Sequence, residues 1–317
     1  MIFAQVKKKT KKIAMSKQNL ITYTALIVSM LFWGFSFIWS KMVFEVYKPV
    51  TTVCFRLIIS SIFLWIVGIL LKKIEKLQKK DFSILALMTF YQPFLYFLGE
   101  NYGLNEVSST IASVLIATIP LFSPFAAYFF LKERLSPMNF TGILISIVGV
   151  VMVVLKDDLS LAASPKGLFF LGLAVASAIA YSVVIVKLTG KYNIYSLITY
   201  QNTLGVFMFL PLFFFLDWHD FLASQITTKA FTSLIFLSIF ASSFAFMLFT
   251  YGIQKIGITR ANSFSNIIPV FTAFFAWILL DEQLNSLNII GIALVVGGLF
   301  LSQIKYKPKF YSLRFRK

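Results

Sequence analysis

The sequence is poor in the residues that carry catalysis or covalent cross-links. It has one cysteine, Cys54, which excludes an intrachain disulfide and leaves too few thiolates for a thiolate metal site. Its one histidine, His219, lies in Asp217-Trp218-His219-Asp220, and one Asp-x-x-Asp cluster is half of what magnesium diphosphate chemistry needs. Ser/His/Asp, Walker and His-x-x-x-His patterns are missing as well. We therefore predict no enzyme, no cofactor and no metal, and we interpret the acidic cluster as a solvated loop.

Charge is also scarce. Charged residues make up 13% of the 317 residues, and 59% are hydrophobic, whereas soluble domains average about 25% charged residues. Ten apolar runs are long enough to cross a bilayer, and Arg56 in the second run is the one charge inside them. The sequence predicts an all-α polytopic membrane protein with ten transmembrane spans: 20–40, 50–71, 82–99, 107–131, 137–155, 167–186, 193–216, 230–253, 261–280 and 286–304.

The net charge of +17 is distributed by membrane side and does not indicate nucleic-acid binding. With the N-terminus inside, 23 of the 29 lysines and arginines fall on the inner side and 5 on the outer side. This asymmetry follows the positive-inside rule and predicts that both termini are cytoplasmic. The basic leader 1–19, interpreted as a retained signal anchor, and the basic tail 305–317 suit the anionic head groups of the lipid bilayer.

The strongest pattern is an internal repeat. Residues 97–149 recur at 246–298 with a constant offset of 149 residues, and the matched positions include prolines, glutamates, asparagines and glycines. Each half, 20–155 and 167–304, contains five predicted spans, and the linker 156–166 joins them. Because five is odd, the second copy enters the membrane from the opposite side, so we predict two inverted five-helix repeats.

Motifs at the ends of both repeats resemble those of the EamA-type branch of the drug/metabolite transporter (DMT) superfamily. The stretches are Ser108–Leu155 and Thr259–Ser302, each with a mid-span proline, a terminal glutamate and a glycine-rich span, and Trp33-Gly34-Phe35-Ser36-Phe37 is similar to the family's opening motif. The resemblance implies a multi-pass carrier in the inner (plasma) membrane that works by alternating access. It does not specify the substrate, because the family spans amino acids, drugs, nucleobases and sugars.

Polar and aromatic side chains inside the spans are candidates for substrate contact. Aromatic residues would form the wall of a central cavity, and amides and a hydroxyl would provide hydrogen bonds; the alternatives are interfacial anchoring for the tyrosines and helix-to-helix contacts for the asparagines. The predicted substrate-binding residues are Trp33, Ser36, Tyr91, Gln92, Tyr96, Tyr181, Tyr251, Asn262 and Asn266.

Two prolines and two charged residues are candidates for moving parts. Pro120 and Pro269 occupy matched positions in the two repeats and predict helix kinks, either flexing in transport or packed statically. Glu100 follows the third run and is interpreted as a solvated rim or gate charge, with a buried ion site as the alternative. Arg56 either has a function inside the membrane or extends to the outer surface.

The remaining matched residues are interpreted as structural. Glu133 and Glu282 end the fourth and ninth spans, where their carboxylates would bond to backbone or loop donors. Gly142, Gly149, Gly291 and Gly298 give spans five and ten small faces, so we expect these two spans to pair closely.

The sequence as a whole predicts an exporter of small metabolites, with amino-acid-like solutes favoured by the resemblance. A drug or nucleobase-type efflux carrier is the alternative within transport, and a polytopic enzyme on a lipid-linked substrate is the alternative outside it. The predicted first span lacks the buried glutamate of the small proton-coupled four-span relatives, and no predicted span has a mid-membrane carboxylate. This favours a facilitator, an exchanger, or a carrier coupled through an atypical group. The oligomeric state is open, and a monomer is compatible with the sequence.

Overall fold

The computed structural model describes residues 17–122, 137–156, 160–256, 261 and 263–302. Within these ranges the chain is helical, with one isolated β-bridge between Leu155 and Leu161. The α-helices are α1 (Lys17–Phe44), α2 (Pro49–Leu70), α3 (Phe82–Thr89), α4 (Tyr96–Glu106), α5 (Ser109–Ile116), α6 (Pro137–Val154), α7 (Pro165–Thr189), α8 (Ile194–Leu212), α9 (Trp218–Ala223), α10 (Thr228–Phe236), α11 (Ala245–Ile256), α12 (Ile268–Leu279) and α13 (Ser286–Ser302).

Length and composition make several of the helical segments candidates for crossing a membrane. Seven continuous helices in the described part of the chain are long and apolar enough to span a bilayer, and three shorter apolar helices accompany them: Ser109–Phe122, Phe264–Leu279 and Ser286–Ser302. Because lipid offers no hydrogen bonds, backbone groups in such segments must be satisfied within the helix. The all-helical class predicted from the sequence is confirmed, whereas the count of ten spans stays a prediction.

The outer surface of the bundle is apolar and its interior is partly polar. Large side chains such as Phe215 and Phe169 are 87% and 70% exposed, as lipid-facing residues would be. Hydroxyl and amide side chains are instead buried between helices, including Ser29, Ser60 and Thr272. This reverses the distribution in a water-soluble protein.

Several helix starts are specified locally by capping side chains. Ser108 accepts a hydrogen bond from the backbone N–H of Ile111, and Asn193 accepts one from that of Ser196 at 2.9 Å. These caps satisfy N–H groups that have no partner within the helix. They explain why helices begin where short polar breaks interrupt the apolar runs.

Helices from the two sequence halves pack against each other. Gly99 and Gly103 bring α4 against α7, and Gly252 brings α11 against Leu26 of α1. Helices α2 and α8 also pack together, as do α6 and α13. The halves are therefore interleaved, and the interior is shared between them.

The α6–α13 pair is antiparallel and has an internal symmetry. Asn139 donates its amide to the carbonyl of Ser302, and Asn288 donates to the carbonyl of Val153 at 3.2 Å. Asn288 and Ser302 lie 149 residues after Asn139 and Val153, so the two bonds are repeat equivalents of each other. At the centre Ser146 donates to the carbonyl of Val295, its own counterpart.

The four glycines predicted to form small faces lie between these helices. A Cβ at Gly142 would lie 2.4 Å from the backbone nitrogen of Ser302, and one at Gly298 would lie 2.6 Å from the carbonyl of Gly142. Gly149 and Gly291 face each other in the same way. Since nothing larger than hydrogen fits, the backbones of α6 and α13 approach closely here.

Candidate substrate site

The third membrane-crossing segment is broken in its middle. It consists of α3, a π-helical turn at Phe90–Leu95 and α4, and Gln92 has extended backbone angles of φ −145° and ψ 124°. Pro93 accounts for the break, because proline removes an N–H donor and disfavours helical angles in the residue before it. The carbonyl of Tyr91 still accepts the backbone N–H of Tyr96, whereas Gln92 departs from the helical hydrogen-bond pattern.

Side chains from α7 and α8 donate hydrogen bonds to two carbonyl groups at the break. Ser177 donates its hydroxyl to the carbonyl of Tyr91 at 2.5 Å, and Gln201 donates its amide to the carbonyl of Gln92 at 2.6 Å. Tyr181 donates to the amide oxygen of Gln201 at 3.2 Å. The break is thereby joined to two helices of the second repeat by hydrogen bonds.

A glycine lets α8 approach the break. A Cβ at Gly205 would lie 2.6 Å from Cγ of Pro93, so any larger residue would push the two segments apart. Non-helical backbone within a membrane is tolerated where it is buried in protein or lines a cavity. In carriers, discontinuous helices of this kind form substrate and ion sites.

A buried pair of opposite charges lies one to two turns from the break. Arg56 on α2 is 4% exposed; its Nε donates to Ser242 Oγ at 2.6 Å, and its guanidinium lies 4.2 Å from the centroid of the Phe97 ring. Its Nη1 is 3.8 Å from Oε2 of Glu100. Tyr96 donates its hydroxyl to the other carboxylate oxygen of Glu100 at 2.8 Å.

This placement corrects the interpretation of Glu100 and favours the intramembrane alternative for Arg56. Glu100 is 8% exposed and is not a solvated rim charge, and Arg56 does not extend to the outer surface. At roughly 1.5 Å per residue, Arg56 is about 10 Å from the start of α2 at Pro49, and Glu100 is about 9 Å from the end of α4 at Glu106. The physical reason is the pairing itself, because each charge shields the other from the apolar interior. The third span therefore carries an intramembrane carboxylate where none was predicted.

A group of buried hydroxyls and amides continues from the charged pair. Ser60, one turn after Arg56, lies 2.9 Å from the hydroxyl of Ser243 and accepts the amide of Asn202 at 2.9 Å. Ser61 and Thr203 are joined at 2.7 Å. These residues were not among the predicted site residues, although Ser60-Ser61, Asn202-Thr203 and Ser242-Ser243 stand out as polar pairs in apolar runs.

Two of the predicted substrate-binding residues lie on α1. Their hydrogen-bond partners differ from those at the break. Trp33 donates its indole N–H to the carbonyl of Ala241 at 3.2 Å, and its ring packs edge-on against Phe246 and Phe249. Ser36 donates to the carbonyl of Trp33 at 2.7 Å, within its own helix. The hydroxyl of Ser36 is thus engaged locally in this conformation.

The remaining predicted substrate-binding residues, Tyr251, Asn262 and Asn266, lie in the second repeat. The ammonium of Lys255 lies 5.7 Å from the centroid of the Tyr251 ring, close to the end of α11. Asn266 is buried in a 3₁₀ turn at Ser263–Ile267. Asn262 lies outside the described residues.

Irregular backbone precedes both predicted kink prolines. Helix α5 ends at Ile116, and a turn at Ala117–Thr118 precedes Pro120. Pro269 follows the 3₁₀ turn and occupies the first turn of α12. Both prolines therefore mark changes in helix type within apolar segments.

Of the two matched glutamates, Glu282 lies within the described residues. Glu282 accepts the backbone N–H of Ser109 at 2.6 Å and both donors of Thr110, at 3.2 Å from the backbone and 2.9 Å from the hydroxyl. Glu282 thus caps the start of α5 in the other half of the chain. This contact is of longer range than a bond within the turn that follows its own span. Glu133 lies outside the described residues.

The acidic cluster is not simply a solvated loop. Asp217 is 2% exposed and accepts the backbone N–H of Thr51 at 2.8 Å and its hydroxyl at 2.9 Å, so it caps the first turn of α2. Asp220 is exposed and pairs with Lys48 at 2.6 Å, and this hydrogen bond raises the pKa of the lysine. The first carboxylate was misassigned because its partner lies 166 residues away.

An apolar cavity in the described part of the chain lies apart from these polar groups. It has a volume of about 610 Å³ and is lined by α5, α6 and α7, including Leu115, Val150 and Val175. None of the predicted substrate residues lines it. A surface of this kind offers hydrocarbon contact and no hydrogen bonds.

Comparison with known proteins identifies the family. The model of the EamA-like transporter family matches this chain twice, at residues 20–155 and 165–303. The chain belongs to this family, and the two matches coincide with the two repeats. It is therefore a membrane transporter and not an enzyme, which removes the lipid-linked enzyme from the alternatives.

Individual relatives extend over nearly the whole chain. The uncharacterized transporter YetK of Bacillus subtilis is 26% identical over 92% of this chain and 89% of its own length. An uncharacterized transporter of Archaeoglobus fulgidus is 26% identical over 90% of this chain and 99% of its own. A crystal structure that is 15% identical superposes with a TM-score of 0.66 over 89% of this chain, which shows a common fold.

Proposed function

We propose that this transporter moves a small metabolite by alternating access between two inverted five-helix repeats. The central observation is the broken third span, where Gln92 leaves the helix and the side chains of Ser177 and Gln201 bond to the carbonyls of Tyr91 and Gln92. These groups come from both halves of the chain. A site shared in this way changes shape when the halves move against each other.

The arrangement of α6 and α13 supports the inverted topology. Equivalent helices that run antiparallel, with Asn139 and Asn288 making equivalent bonds, are related by an approximate two-fold axis perpendicular to them. When both helices span the bilayer, that axis lies in the membrane plane. Five spans per repeat, as the sequence predicts, give the same inversion.

The direction and location follow from the sequence and the family. The excess of lysine and arginine on the predicted inner loops and tails favours cytoplasmic termini and the inner membrane of the cell. Export is the direction favoured by the family resemblance. The solute contacts only protein and water on its way through the bilayer.

Amino-acid-like solutes suit the interior better than drugs or nucleobases. The polar groups near the break include a cation, Arg56, and an anion, Glu100, next to the aromatic rings of Tyr96 and Phe97. An uncharged aromatic solute would use the rings and leave both charges without a new partner. A drug or nucleobase-type efflux carrier is the second candidate, favoured by the high aromatic content of 17%.

Counterflow in proteoliposomes tests the proposal. Purified protein is reconstituted with a high internal concentration of unlabelled solute, and uptake of radiolabelled amino acids and nucleobases is followed with and without a pH gradient. We expect transient accumulation of at least one amino acid. A nucleobase in its place favours the second candidate, and the absence of accumulation for every solute argues against a small-metabolite carrier.

A further inference from the structure

The Arg56–Glu100 pair is too open to be a simple structural clamp. A guanidinium–carboxylate clamp forms charge-assisted hydrogen bonds of about 2.7–2.9 Å, often two in parallel. Here Nη1 of Arg56 and Oε2 of Glu100 are 3.8 Å apart, which is beyond hydrogen-bonding distance. Attraction between the charges remains, but the direct bond is missing.

Other side chains hold each charge in place. Arg56 is fixed through its Nε, which donates to Ser242, and through the face of the Phe97 ring at 4.2 Å. Glu100 is fixed through Oε1, which accepts the hydroxyl of Tyr96. The polar atoms that face each other across the gap, Nη1 and Oε2, are those that these contacts leave open.

The guanidinium retains donors for a ligand. Among the described residues, Nε is the nitrogen of Arg56 that has a hydrogen-bond partner, and the four N–H groups on Nη1 and Nη2 have none. The side chain is nevertheless 4% exposed. A carboxylate is the group whose geometry matches these guanidinium donors.

From this geometry we infer that Arg56 and Glu100 form a dyad that binds a zwitterionic solute, with the solute's carboxylate on Arg56 and its ammonium on Glu100. The inference rests on the proposed function and specifies the substrate class of that carrier. The two charged groups of an α-amino acid are separated by one carbon atom, which suits a gap of 3.8 Å between Nη1 and Oε2.

Charge balance in the membrane favours this class over simple ions. The dyad has one positive and one negative charge, so a bound zwitterion leaves the site neutral, with an opposite partner for every charge. A bound anion or cation would leave one net charge inside the bundle, where intramembrane charge is costly. Glu100 is 11% exposed at the side chain, so entry requires the surrounding helices to part, as alternating access provides.

Competition by paired analogues tests the dyad in wild-type proteoliposomes. For each radiolabelled amino acid that accumulates, competitors are the unlabelled amino acid, its carboxamide, which lacks the anion, and its deaminated acid, which lacks the cation. We expect both analogues to compete about 10- to 100-fold more weakly, as expected for the loss of a hydrogen bond to a charged group. Equal competition by all three overturns the dyad and leaves the carrier intact.

Variants assign each charge to its residue. Arg56→Gln is expected to remove the preference for the acid over the carboxamide, and Glu100→Gln the preference for the amino acid over the deaminated acid. Lys48→Gln is the matched control, since it breaks an exposed ion pair with Asp220 and should keep both preferences. If Arg56→Gln folds and still prefers the acid, Arg56 is not the carboxylate site.

The wild-type series keeps the inference falsifiable if Arg56→Gln does not fold. Arg56→Lys then serves as the second variant: it keeps the charge but not the planar fork, so the advantage of the acid should shrink without disappearing. Accumulation of nucleobases alone overturns the dyad and leaves a carrier. If no solute accumulates, the proposed function fails and the dyad fails with it.

Discussion

The amide of Gln201 donates a 2.6 Å hydrogen bond to the backbone carbonyl of Gln92, which joins α8 to the break in the third span. The two residues belong to different repeats and are 109 positions apart. This bond gives a backbone group inside the membrane the partner that Pro93 prevents the helix from providing. It therefore connects a local sequence feature to the packing of the two halves.

We expect Gln201→Leu to reduce transport strongly and to lower stability. The carbonyl of Gln92 and the hydroxyl of Tyr181 lose their partner, and a buried polar group without one costs about 1–3 kcal/mol. Counterflow rates and thermal unfolding in detergent measure the two effects. Tyr181→Phe is the milder companion, because it spares the bond to Gln92. Wild-type transport by Gln201→Leu would show that the break does not depend on this bond.

Glu282→Ala should destabilise the protein by about 0.5–2 kcal/mol, the usual loss for an N-terminal cap. Its carboxylate accepts donors from Ser109 and Thr110 at the start of α5, where the helix dipole also favours negative charge. Gln283→Ala is the matched control, as that side chain is exposed and bonds only to a neighbouring carbonyl. Thermal unfolding of both variants in one detergent provides the comparison. Equal unfolding temperatures would rule out a stabilising cap.

Gly298→Ala should be destabilising by about 1–3 kcal/mol, as for overpacking of a close contact. The new methyl group would lie 2.4 Å from Oγ of Ser146 and 2.6 Å from the carbonyl of Gly142. A methyl group added at the adjacent Gly297 would have no atom within 4 Å, so Gly297→Ala should leave the stability unchanged. The difference in unfolding temperature between Gly298→Ala and Gly297→Ala reports how closely the backbones of α6 and α13 approach. Similar behaviour would contradict the tight pairing.

Cysteine labelling tests the inversion. Asn105 and Gln254 are exposed and lie 149 residues apart in the repeat, so an inverted pair must be on opposite sides of the membrane. In a Cys54→Ser background, Asn105→Cys should react with an impermeant maleimide on intact cells, and Gln254→Cys should react only after permeabilisation. Labelling of both from one side would refute the inverted arrangement.

Individual residues show how far the sequence allowed the site to be predicted. Arg56 stood out as the one charge inside a predicted span, yet its partner could not be identified, because α2 and α4 meet only in the folded bundle. Glu100 was interpreted as solvated for the same reason. Gln92 was selected for its position on a helix face, whereas its main contribution is a backbone carbonyl exposed by Pro93. The sequence feature that indicates this carbonyl is Pro93 itself, which was not among the prolines predicted to kink a helix.

The sequence by itself determined the all-helical membrane class, the duplication and the transporter family. Lipid forces backbone groups to pair within each segment, so long uncharged runs have essentially one structure available, and repeated motifs are visible without coordinates. The tertiary structure decided which polar side chains meet: Arg56 with Glu100, Gln201 with Gln92, and Glu282 with the start of α5. These contacts join residues up to 173 positions apart, and they depend on helix separation and rotation, which apolar runs leave undetermined.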